Sequence, residues 1–143
     1  MDGVIISTLK QIHHPKGDIF HVIKKSDVGF SGFGEAYFSI INQDDIKGWK
    51  KHTKMILNLI VPIGEIEFTI YDENTKEFFN TKLSKNNYQR LTVKAGLWVA
   101  FKGIGMYNML LNVSNIEHDA NEAININLKD INYSWEHEHH KYK

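Results

Sequence analysis

The side chains most able to do chemistry are gathered in one short segment, Ile46-Lys47-Gly48-Trp49-Lys50-Lys51-His52-Thr53-Lys54-Met55. Four lysines and one histidine surround its glycine. Two tasks suit such a cluster. Lys47, Lys50, Lys51 and Lys54 make a basic patch able to hold a diphosphate, because ammonium groups donate to phosphate oxygens. The same lysines would also protect an edge strand against unwanted pairing. The second task is proton transfer. His52 can serve as a base, and Lys50 can do so if burial or neighbouring cations suppress its charge. His52 follows Lys50 by two residues, so on a strand both face one side. Trp49, Tyr37 and Phe38 offer rings that stack on a base or a sugar, or that fill a core. Asn58 and Asn112 interrupt apolar runs; they line a barrel mouth or are satisfied core polar groups.

Other chemistries find little support. The chain has no cysteine, which excludes disulfides, iron–sulfur clusters and thiolate zinc sites. Histidines elsewhere do not converge: His13 and His14 sit in a turn, and His137, His139 and His140 lie in a polar terminal stretch. No metal site and no cofactor are expected. The formal net charge is zero, which argues against a general nucleic-acid binder. No apolar run approaches the ~20 residues of a membrane helix. The start, Met1-Asp2-Gly3-Val4, carries no signal-peptide pattern. A cytoplasmic location is the expectation.

The elements that must position these residues read as strands. Val4 to Leu9, Asp18 to Ile23, Glu35 to Ile41, Met55 to Val61, Phe78 to Leu83, Arg90 to Val93, Leu97 to Phe101 and Asn108 to Val113 are short runs rich in β-branched and aromatic residues. Glu65 to Tyr71 alternates cleanly, with Ile66, Phe68 and Ile70 on one face. His14-Pro15-Lys16-Gly17-Asp18 and the glycine-rich Val28 to Gly34 are turns or loops. Weak helical periodicity occurs only over Asn121 to Leu128. Eight to ten short strands predict an all-β sandwich or barrel. Residues 1–143 read as a single domain, with 136–143 a flexible polar tail.

Several segments, in order, are similar to landmarks of the dTDP-4-dehydrorhamnose 3,5-epimerase family. Lys16-Gly17-Asp18-Ile19-Phe20 resembles its early Arg-Gly-x-Phe turn. Ile46-Lys47-Gly48-Trp49-Lys50 resembles a segment that usually reads Arg-Gly-x-His. Gly64 to Asp72, Asn87 to Phe101 and the closing Ile131-Asn132-Tyr133-Ser134-Trp135 match further landmarks. The resemblance spans nearly the whole chain. It implies a cupin-type double-stranded β-helix, or jelly-roll barrel, and a homodimer in which Glu35 to Ile41 crosses to the partner. It also implies an NDP-sugar ligand, dTDP-linked, and a setting in surface-polysaccharide (lipopolysaccharide/O-antigen) biosynthesis.

The resemblance further implies a histidine base oriented by an aspartate, with a tyrosine acid opposite. Lys50 stands at the position of that histidine, Val99 at that of a second histidine and Leu111 near that of the tyrosine, with Tyr107 four residues earlier as a substitute. His52 matches the second member of a His-x-His pair found in short relatives. The expected catalytic residues are therefore Lys50, His52 and Tyr107. The expected substrate-binding residues are Lys47, Trp49, Lys54, Asn58 and Tyr37. Three functions remain open: an epimerase-like enzyme on an NDP-4-keto-6-deoxyhexose, a sugar-nucleotide binder that has lost its base, and a 3,4-ketoisomerase of the same barrel type.

Overall fold

Among residues 1–135, which the computed structural model describes, the short apolar runs form β-strands. They are β1 (Val4–Thr8), β2 (Gln11–Ile12), β3 (Ile19–Phe20), β4 (Glu35–Asn42), β5 (Ile46–His52), β6 (Leu57–Ile63), β7 (Glu65–Asp72), β8 (Glu77–Ser84), β9 (Gln89–Val93), β10 (Trp98–Gly103), β11 (Tyr107–Ser114) and β12 (Ala123–Asn125). A single 3₁₀ turn, Leu128–Asp130, follows, and no α-helix occurs among the described residues. The tail expected at 136–143 lies outside the described residues.

Two five-stranded antiparallel sheets face one another, in the orders β1-β9-β6-β11-β4 and β12-β5-β10-β7-β8. This is the expected all-β jelly-roll of the cupin type. β6 and β7 are consecutive but lie in different sheets. Gly64 makes the corner between them at φ +83°, where an added Cβ would overlap the Tyr107 carbonyl, so no side chain fits there.

Ile66, Phe68 and Ile70 of β7 point inward and are fully buried, as their alternation predicts. They join Leu57, Leu59, Val61, Leu91 and Val93 in the central core. The opposite face of β7 is covered too, since Thr69 and Glu67 are buried. The cover is the C-terminal arm. Ile131 and Trp135 pack with Trp49, Trp98 and Ala100 on the outside of the second sheet. Asn80 Nδ2 ties the arm down, donating to Glu67, to Thr69 and to the Tyr133 hydroxyl at 2.9, 2.9 and 3.0 Å.

Two local expectations change. The stretch 121–128 is not helical: β12 pairs with β5, Ala123 opposite His52 and Asn125 opposite Lys50. Tertiary pairing outweighs a weak local period. The strand expected at Asp18 to Ile23 shortens to Ile19–Phe20, paired only with β2. The chain beyond it folds over β9, where Arg90 donates to the Val22 and Val28 carbonyls at 2.8 and 2.9 Å.

Candidate functional site

The barrel is not filled to its end. A cavity of about 410 Å³ opens between the sheets, lined by Tyr37 and Ser39 of β4, Lys47, Lys50 and His52 of β5, Leu57 and Leu59 of β6, Val99 and Phe101 of β10, Leu110 and Asn112 of β11, and by Asn125 and Ile126. Its polar groups cluster on β5 and on the β4–β11 side, and aliphatic and phenyl side chains make the remainder.

A register break in β5 lets one strand aim three basic side chains inward. Phe101 pairs with Lys47 and Val99 with Lys50, so Gly48 and Trp49 together oppose Ala100 alone. This is a β-bulge, which re-aims the side chains beyond it. Without it Lys47 and Lys50, three residues apart, would point to opposite faces. Gly48 makes the bulge possible, because an added Cβ would overlap the Ala100 side chain. Lys47, Lys50 and His52 all reach the cavity, and Trp49 and Lys51 go to the other side.

His52 is held by an acid that the sequence did not single out. Its Nδ1 lies 2.6 Å from Glu122 Oε1. Glu122 Oε2 accepts the backbone N–H groups of Lys54 and Met55, each at 3.0 Å, and the Thr53 hydroxyl donates to the Glu122 carbonyl at 2.6 Å. The side chains of His52 and Glu122 are 13% and 3% exposed. Burial alone would raise the Glu122 pKa, but the bonds from His52 and from the Met55 and Lys54 amides outweigh it and hold the group down to about 2. An ionised carboxylate only accepts, so Nδ1 keeps its proton and donates it in the hydrogen bond, which leaves Nε2 as the basic nitrogen. Such a pair can act as an oriented general base. The resemblance implied an aspartate for this task; a glutamate 70 residues downstream performs it. Nothing local marks Glu122, which stands in a polar stretch, Glu117 to Glu122, and becomes visible only once β12 pairs with β5.

The structure brings together Lys47, Lys50, His52 and Tyr37. Asn112 donates to the Tyr37 hydroxyl at 3.1 Å. Lys47 Nζ donates to the Ile40 carbonyl at 2.8 Å and bridges β5 to β4 across the cavity. Four expected site residues lie elsewhere. Trp49 is fully buried on the outer face of the sheet, its indole N–H donating to the Leu128 carbonyl, so it has no ring to offer a ligand. Asn58 points away from the cavity; it accepts from Thr92 Oγ1 and donates to the Gly29 carbonyl, a satisfied core polar group. Lys54 is exposed and absent from the cavity wall. Tyr107 is 53% exposed at the start of β11, on the face away from the cavity. Among the described residues no group of histidines and carboxylates is placed to hold a metal ion.

No protein-family model and no curated protein matches the sequence. Solved structures do. A dTDP sugar isomerase from Desulfovibrio desulfuricans G20 is 27% identical and superposes with a TM-score of 0.89, covering 94% of this chain and 92% of that one. A sugar 3,4-ketoisomerase from Thermoanaerobacterium thermosaccharolyticum, solved in complex with TDP, is 18% identical, with a TM-score of 0.77 over 92% of this chain and 93% of that one. A dTDP-6-deoxy-D-glucose-3,5-epimerase from Legionella pneumophila Philadelphia 1, in complex with dTDP-4-keto-L-rhamnose, is 14% identical, with a TM-score of 0.80 over 91% and 76%. The last two share the fold. The resemblance carried by the sequence landmarks therefore holds in three dimensions: the structural neighbours of this chain are dTDP-sugar isomerases and epimerases of the epimerase-like cupin fold.

Proposed function

We propose that the protein is an isomerase of a nucleoside-diphosphate 4-keto-6-deoxyhexose, dTDP-linked, with His52 as its base. The observation that carries this reading is His52 on the cavity wall, held from behind by Glu122. A hydrogen on the carbon beside a ketone is acidic enough for an oriented imidazole to remove. The cavity volume falls within the usual range of roughly 300–1,000 Å³ for small-molecule sites. Leu57, Leu59, Val99, Phe101 and Leu110 give it an apolar side suited to a deoxy sugar's methyl group. A histidine variant of the Thermoanaerobacterium ketoisomerase was solved with TDP-4-keto-6-deoxyglucose, and we take that compound as the first substrate to try. Lys47 keeps two further N–H donors for a diphosphate at the cavity mouth.

Of the two outcomes open to such a base, 3,4-keto isomerisation is favoured over 3,5-epimerisation. Epimerisation needs an acid on the opposite face of the ring, and the tyrosine expected for that task, Tyr107, lies outside the cavity, while the Tyr37 hydroxyl within it is engaged by Asn112. Isomerisation moves the carbon-bound proton from C3 to C4 on one face, a task for one base, while the proton of the 3-hydroxyl passes to the C4 oxygen. The chain also matches the isomerases over 92–93% of their length, against 76% for the epimerase. We place the protein in surface-polysaccharide (lipopolysaccharide) biosynthesis in the cytoplasm, as the family resemblance implies, and as a homodimer through β4.

Proton NMR of the protein with TDP-4-keto-6-deoxyglucose in D2O tests the reaction. The expected result is a 3-keto product carrying deuterium at C4, with exchange in the recovered 4-keto substrate confined to C3. Exchange at both C3 and C5 would select the epimerase instead. Binding of TDP with no exchange at all would leave a binder that does no chemistry.

A further inference from the structure

Three of the basic side chains on β5 are committed. Lys47 donates to the Ile40 carbonyl, Lys51 pairs with Glu73 on the outer face and lies over the Trp98 ring, and His52 is bound to Glu122. Lys50 differs. It lines the cavity two residues before His52 on the same face. Its cross-strand neighbours are Val99 on β10 and Asn125 on β12, neither of them acidic. Among the described residues its ammonium makes no hydrogen bond and no ion pair. An unpaired ammonium thus faces the cavity beside the base, in a wall that carries no acid among its lining residues, and Glu122 behind it is already bound to His52.

We propose that Lys50 is the electrophile of the reaction: it donates to the substrate's C4 oxygen and stabilises the negative charge that forms there. The idea rests on the isomerase reading above. When His52 Nε2 takes the C3 proton, the electrons of the C3–H bond become the C3=C4 π bond. The former C=O π pair moves onto the C4 oxygen, which becomes an enolate. An ammonium has three donors and no acceptor, so the cation can hold that oxygen but cannot receive the proton. The two groups therefore divide the work: His52 collects the proton and Lys50 the charge. A donor that meets the charge where it develops lowers the barrier of the step. The lysine at a position where the sequence resemblance leads one to expect a histidine is then a change of role, from proton acceptor to charge holder.

The test measures deuterium uptake at C3 of TDP-4-keto-6-deoxyglucose and, separately, TDP binding by calorimetry, for the wild type, Lys50→Met and His52→Asn. Met keeps the length of the stem, and Lys50 is exposed, so the fold should tolerate it; unchanged TDP affinity confirms that it does. The expected result is that Lys50→Met lowers the maximal exchange rate by about 10²-fold, the usual loss on removing one oxyanion donor, with KM and TDP affinity within about threefold of wild type. Exchange by Lys50→Met within about threefold of wild type, while His52→Asn is inactive, would overturn this proposal and leave the isomerase reading standing. A loss of TDP affinity of about tenfold or more in Lys50→Met would overturn it as well, by assigning Lys50 to the diphosphate. Absence of exchange in the wild type would remove both readings.

Discussion

The imidazole of His52 owes its orientation to a carboxylate from the far end of the chain. Glu122 receives three hydrogen bonds, from His52 and from the amides of Lys54 and Met55, so it cannot turn away from its task. His52→Asn is expected to reduce isomerisation by about 10²–10⁴-fold, the range for loss of a general base, with TDP still bound. Glu122→Gln should cost on the order of 10²-fold in kcat with little change in KM, because a neutral amide neither fixes the tautomer nor steadies the imidazolium. Steady-state kinetics on purified variants checks both, and full activity in Glu122→Gln would remove the carboxylate from the mechanism. At this scale the sequence was legible where residue type and spacing sufficed: Lys50 and His52 were placed on one face and the structure keeps them there. It was not legible where the partner is distant. Glu122 carries no local signal, and Asn58 and Trp49 are polar or aromatic groups whose orientation is decided by what covers them.

β5 is where an element, not a residue, makes the site. Its bulge at Gly48–Trp49 sends Trp49 into the outer cluster and Lys47 and Lys50 into the cavity. Trp49→Ala is expected to destabilise the fold by about 3–5 kcal/mol, since the indole is fully buried against Trp98 and Trp135; urea unfolding measures it. Gly48→Val should be harsher for function than for folding. Its side chain meets Ala100, and relief of that clash must shift β5 from β10 and move Lys50 and His52 with it. Exchange activity lost while cooperative unfolding persists is the expected pair of results. The sequence showed that this segment was strand-like and that Glu65 to Tyr71 had a buried face. It did not show the bulge, because two residues opposing one is a property of the pairing. Nor did it show the strand at Ala123–Asn125, whose weak helical period gave way to an edge of β5 that lacked a partner.

At the scale of the molecule the same carboxylate links activity to acid stability. The folded-state pKa of Glu122 is depressed from 4.5 to about 2. Its stabilisation is therefore fully present above about pH 4.5 and is lost as pH falls from there through about 2, an effect on the order of 3 kcal/mol. Denaturant unfolding between pH 6 and pH 2 should show this loss in the wild type and a flatter profile in Glu122→Gln; parallel profiles would count against it. The whole molecule also exposes an apolar edge. β4 ends its sheet, and Phe38 and Ile40 on it are 63% and 39% exposed, the sort of edge that invites a second copy. Light scattering is expected to give a dimer mass, and Phe38→Glu a monomer. The barrel and the likeness behind it were readable because strand order and turn residues are written along the chain. Which face of β4 remains bare was not, since that depends on what the rest of the barrel leaves uncovered. The span between His52 and Glu122 also bears on how the protein is made. Loops that long close late and at an entropic cost, and folds built on such distant pairings form slowly. A chain emerging from the ribosome can build most of the first sheet while its histidine still lacks an acid. The contact that orients His52 is then completed only after the strands of the first sheet are in place.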